Sequence, residues 1–168
     1  MKWFNYLLLG LFICLVVVFQ TSFFASWGYW GNLLNPILWL LVYCSFFSKK
    51  NLWLVVFLGG FLLDLTSFNF GLNIIALIGV ALSVNLFHKY HLALSNSFSW
   101  LLTSLTAMIS YLFCIFILNY TFGFLFSWHS VFTFSALRIF LFIFVNLLGL
   151  LFVFIFQKLL KRFFYERK

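Results

Sequence analysis

Apolar residues run along the chain in stretches of up to about twenty, the length a membrane-spanning helix needs, and polar residues collect at the joints between them. A membrane β-barrel would alternate apolar and polar positions in segments of ~10 residues, whereas these runs are continuous. The joints predict helices at about 3–24, 33–48, 52–67, 72–87, 97–119 and 131–160, all within a single transmembrane domain, 1–168. The expected fold class is an all-α integral membrane protein, a six-helix transmembrane bundle with both termini inside.

Each joint has its own character. Lys2 ahead of the run from Tyr6 to Phe19 would suit a signal peptide, but no small-x-small cleavage pattern follows, so an uncleaved first helix is expected. Residues 25–35 are rich in Trp, Tyr and Gly (Trp27, Gly28, Tyr29, Trp30, Gly31), as at a membrane–water interface; a sugar-binding face is the alternative. The second helix is short. Asn35-Pro36 suits its first turn. It is expected to borrow Leu33 and Leu34, to tilt in a thinned region, or to be re-entrant. Lys49-Lys50-Asn51 closes it, and a short turn at 68–70 leads through Gly71 into the fourth helix. His88 and His91 have spacing for one helix face, but no third or fourth metal ligand accompanies them. A second aromatic loop is expected at 120–130.

Composition confirms the class. The chain is 66% hydrophobic and 7% charged, against ~25% charged for soluble domains, which excludes a water-exposed surface. The net charge of +8 does not suggest nucleic acid, because Lys and Arg sit at helix ends and not on a domain face. Lys2, Lys49, Lys50, Lys89, Lys158, Lys161, Arg162, Arg167 and Lys168 all fall on one side of a six-span plan, and the opposite loops carry no charge. That side is the inside. If the second helix does not span, only Lys2 changes sides. The tail with Lys158, Lys161, Arg162, Arg167 and Lys168 reads as an amphipathic extension on anionic membrane lipids. Cys14, Cys44 and Cys114 lie singly in apolar runs and read as buried thiols.

Two charged residues fall within predicted spans, Asp64 and Arg138. At a rise of ~1.5 Å per residue, Asp64 lies about 20 Å from the inner face and Arg138 about 10 Å from the outer one. In a core of ~30 Å these depths coincide. The two are expected to pair across helices three and six, because either charge alone would be buried without compensation. A structural clamp is favoured over proton coupling: a paired carboxylate titrates poorly near neutral pH, and no relay of Asp, Glu and His is in sight. Thr103, Thr106 and Ser110 share a helix face and are expected to bond neighbouring helices, with a substrate cavity as the sharper alternative. Ser67-Phe68-Asn69-Phe70-Gly71 and Asn119-Tyr120-Thr121-Phe122-Gly123 hint at two repeated outer hairpins.

The stretch Gly60-Phe61-Leu62-Leu63-Asp64-Leu65, followed by Phe70-Gly71-Leu72-Asn73, resembles the bacterial rod shape-determining protein MreD family. Chain length, short loops and the tail-inside plan agree with that resemblance. It marks Gly60, Asp64, Gly71 and Asn73 as the family motif and implies a fold similar to the substrate-binding subunits of energy-coupling-factor transporters. It further implies a non-enzymatic scaffold of the cell-elongation complex that directs side-wall peptidoglycan synthesis. The implied partners are MreC and, directly or through it, RodA with its transpeptidase and MreB filaments. No nucleophile–base pair, metal cluster or phosphate-binding glycine loop accompanies the motif, so no cofactor is expected. The alternative function is a small-molecule-binding membrane subunit of a transporter.

Overall fold

The computed structural model describes residues 2–24, 26–27, 33–47, 49–67, 71–91, 97–126 and 136–165. Among them the chain is helical, without strands. Helix α1 (Lys2–Val18) continues as a π-helical turn, Phe19–Phe24. Helix α2 is Pro36–Phe47. Helix α3 (Lys49–Leu54) passes through a second π turn, Val55–Gly59, into α4 (Gly60–Ser67). Then come α5 (Leu72–His91), α6 (Ser97–Phe126) and α7 (Ala136–Tyr165).

Among the described residues, four stretches are long and apolar enough to cross a membrane: Tyr6–Phe24, Leu72–Lys89, Phe98–Thr121 and Ala136–Phe156. Their outer faces fit that reading. On α7, Leu137, Phe140, Phe144, Leu148, Leu151 and Ile155 recur at three- and four-residue steps, and all are exposed. On α1, Phe4, Leu7, Leu8, Leu11 and Leu15 are exposed as well. Such faces are costly in water, at ~25 cal/mol per Å², and cost little against lipid chains.

The core gathers on a helix too short to span. With 12 residues, α2 is ~18 Å long at ~1.5 Å per residue, well under the ~30 Å of a hydrocarbon core. Yet Ile37, Leu38, Leu41 and Val42 are fully buried, and α2 touches α1, α3, the second π turn, α5, α6 and α7. Leu33 and Leu34 precede the helix and do not extend it. The short helix is thus the hub that the longer ones surround.

Several joints differ from the sequence pattern. Helix α6 runs on to Phe126 and takes in the start of the expected aromatic loop. There the Thr121 hydroxyl donates to the Ile117 and Leu118 carbonyls (2.9 and 3.1 Å), so its polarity is met inside the helix and ends nothing. Residues 119–123 are therefore helix interior, and the hinted repeat with 67–71 is not a second hairpin. Lys49-Lys50-Asn51 forms the first turn of α3, and α5 extends through His88 to His91. The remainder of the aromatic loop, 127–130, most of 25–32, and the start of the sixth predicted helix, 131–135, lie outside the described residues.

Candidate functional site

The motif Gly60–Asp64–Gly71–Asn73 folds into one device at the start of α5. Gly71 has φ +88°, a backbone state that side chains other than glycine's strain to adopt. It takes the position just before the helix, and its carbonyl accepts the Ile75 amide at 3.1 Å. At that position a Ser, Asp or Asn side chain normally accepts from the second or third amide of the helix. Gly71 has no side chain to do so. Asp64, on α4, does it instead: Oδ1 accepts from the Asn73 amide at 2.9 Å and Oδ2 from the Ile74 amide at 3.1 Å. The carboxylate is 8% exposed and lies at the positive end of the α5 dipole.

Gly60 makes the reach feasible. A Cβ there would stand 2.7 Å from the Ile74 Cα, so the α4 backbone touches the first turn of α5 directly. Any side chain at 60 would push backbone away from backbone and draw Asp64 off its amides. Asn73 contributes through its side chain too: the Tyr111 hydroxyl, on α6, approaches Asn73 Oδ1 at 3.5 Å. All four motif residues thus act at one helix start.

Asp64 and Arg138 stand in different relations to this device. Both Asp64 oxygens already accept amides, while Arg138 lies half-buried near the start of the described part of α7, a helix that packs on α2 and α6. Pairing of the two would add to the amide contacts and not replace them; it remains a proposal.

A second buried polar cluster closes the start of α2. Asn35 is the N-cap: its Oδ1 accepts from the Leu38 amide at 3.2 Å, and Pro36 follows where no amide is needed. Asn146, from the middle of α7, is fully buried. Its Oδ1 accepts from the Asn35 amide and from Trp39 Nε1, each at 2.9 Å. Its Nδ2 donates to the Leu33 carbonyl at 2.7 Å and the Phe142 carbonyl at 2.8 Å. One side-chain amide thereby uses both of its protons and both lone pairs. Gly149, one turn on, lets the Trp39 indole lie against the α7 backbone; a Cβ there would collide with the ring. Tyr111 links the two clusters, since its ring stacks at 5.9 Å on Phe142, whose carbonyl accepts from Asn146.

Sequence reasoning singled out neither Asn146 nor Trp39. The one available signal was the pair Asn146 and Gly149, polar and small, one turn apart in an otherwise apolar helix. The hydroxyls of the fifth predicted helix differ from expectation. Thr103 and Thr106, two of the three expected to bond neighbouring helices, donate to the Ser99 and Leu102 carbonyls on their own helix, at 2.8 and 2.9 Å, and Ser104 donates likewise to the Trp100 carbonyl at 2.7 Å. Among the described residues, no three His, Cys, Asp or Glu side chains converge as metal ligands would, and Cys14, Cys44 and Cys114 are free thiols. Of the tail, Lys158, Lys161 and Arg162 lie within α7, while Arg167 and Lys168 are outside the described residues.

What this arrangement does chemically is hold helices together: the polar atoms named here are spent on internal bonds. The sequence matches no protein-family model, and no curated protein or solved structure matches the chain.

Proposed function

We propose that the chain is a non-enzymatic membrane scaffold of a bacterial cell-elongation complex, with both termini inside, binding an MreC-type single-span partner. Through it the chain would help to organise RodA, its transpeptidase and MreB. One observation carries the reading. The four positions that the resemblance singles out are the parts of a single helix-start device, with a separate physical reason for each. The internal use of the buried polar groups also favours a scaffold, because it leaves broad apolar helix faces as the surface on offer. Such faces suit another membrane helix better than a polar substrate.

The test is a mild-detergent pull-down of tagged protein from its own bacterium, with wild type and Asp64→Asn at matched expression. Recovery of MreC and the elongation enzymes with wild type, reduced with a folded Asp64→Asn protein, is the expected result. Recovery of an ATPase module, or of a tightly held vitamin-sized molecule, overturns the proposal and makes the transporter subunit the better reading.

A further inference from the structure

Of the four stretches that suit a membrane, Tyr6–Phe24 is the least buried in the bundle. Among the described side chains of α1 and its π turn, only Ile13 and Val17 are buried. Phe4, Leu8, Leu11, Leu15 and Phe19 form one exposed stripe at three- and four-residue steps. The stripe ends in a knot of rings. Phe19 and Phe23 stack at 4.6 Å, and Phe24 meets both edge-on at 5.1 and 5.7 Å. Trp27 lies against Phe23 and Phe24 at 5.1 and 5.5 Å.

The π turn, Phe19–Phe24, makes the knot possible. In an α-helix, at ~100° per residue, Phe24 would stand about 140° around the axis from Phe19. Hydrogen bonds that reach five residues along bring the two rings to one side. The Trp27 amide then donates to the Phe24 carbonyl at 3.0 Å, and the Ser26 hydroxyl to the Phe23 carbonyl at 2.6 Å, which holds the indole over the last turn. The knot stays open on its outer side: Phe19 and Phe23 are each 44% exposed and Trp27 is 54% exposed. Its height along the span is also fixed. The stretch Tyr6–Phe24 is about 28 Å long at ~1.5 Å per residue, close to a hydrocarbon core of ~30 Å. Rings at 19–27 therefore straddle the level where acyl chains give way to headgroups.

We propose that Phe19, Phe23, Phe24 and Trp27 form an interfacial anchor that binds the glycerol layer of one leaflet and sets the depth of α1. Two observations select lipid as the occupant. The knot continues the exposed apolar stripe of α1, and it closes on a tryptophan, whose apolar body and polar tip suit a half-wet layer. The anchor reaches back into the helix, beyond the segment 25–35 whose composition alone suggests an interface. The inference rests on the chain being a membrane protein and not on its partners, so the two proposals fail separately.

Fluorine NMR of the full-length chain labelled with fluorotryptophan tests it, in phosphatidylcholine nanodiscs without any partner. The Trp27 signal is identified by its loss in Trp27→Phe, or in Trp27→Tyr if the first variant does not fold. A nitroxide near the top of the acyl chain should broaden that signal about twofold more than a nitroxide near the chain end or a water-soluble gadolinium chelate does. The same preference should persist in bilayers of shorter and of longer chains, because an anchored ring follows the interface. Strongest broadening by the chelate would put the knot in water, and strongest broadening by the chain-end probe would put it in the acyl core. Weak broadening by all three would mean that protein covers it, a second copy of the chain included. Each of these results overturns the proposal. So does equal broadening by the three probes, or a preference that drifts toward water in thin bilayers and toward the chain end in thick ones.

Discussion

Two helices in this protein begin against other elements of the bundle, and they are closed in opposite ways. Helix α5 starts at a glycine without a side chain, and a charged carboxylate arrives from the neighbouring helix to hold its Asn73 and Ile74 amides. Helix α2 starts at an asparagine that caps itself, and a neutral amide from a distant helix holds what is left over. A buried backbone group left unsatisfied costs about 1–3 kcal/mol, so both starts require a closure. The difference lies in what each closure assembles. Asp64 joins two segments nine residues apart, a local hairpin. Asn146 joins segments more than 100 residues apart and so fixes the hub helix inside the bundle. The conspicuous charge does the local task, and the inconspicuous amide does the global one.

This comparison can be broken most forcefully at Asn146. Asn146→Leu strands the Asn35 amide, the Trp39 indole N–H and the Leu33 carbonyl, at ~1–3 kcal/mol for each buried unsatisfied group. Folded yield in detergent should fall at least as far as for Asp64→Ala; a mild effect would mean that the α2 start has other support. Asp64→Ala strands two amides, for about 2–6 kcal/mol on the same scale. Thermal unfolding followed by size-exclusion chromatography would show it. The smallest expected effect is that of Trp39→Phe, which keeps the ring on Gly149 and removes one indole proton. Its cost should be about 1 kcal/mol, the net worth of one hydrogen bond, and it should vanish when introduced into Asn146→Leu.

The same contrast explains what the sequence disclosed. The helical runs, and Asp64 as a marked position in one of them, were readable, because a carboxylate in an apolar run is conspicuous; its amide partners within ten residues were not, and the charge pattern pointed to Arg138 in their place. The start of α2 at Asn35-Pro36 was readable from turn chemistry. The central position of α2 was not, since a 12-residue apolar run looks alike at the hub and at the rim. The role of Asn146 was hidden for a related reason: nothing local tells whether an asparagine in an apolar helix faces lipid or a partner 111 residues away. The extension of α6 through Thr121 escaped because a threonine that bonds its own helix reads, in sequence, like a loop residue.

The most direct test of the cross-helix cap is amide hydrogen exchange at Asn73 and Ile74, in wild type and in Asp64→Asn, with Asn35 and Leu38 as internal controls. A side-chain amide offers one acceptor oxygen where the carboxylate offered two. The account predicts that at least one of the two α5 amides exchanges about tenfold faster or more, the equivalent of ~1.4 kcal/mol of lost protection, while the α2 start is unchanged. Unchanged exchange at both Asn73 and Ile74 would contradict it, because Asp64 would then not be what closes the helix.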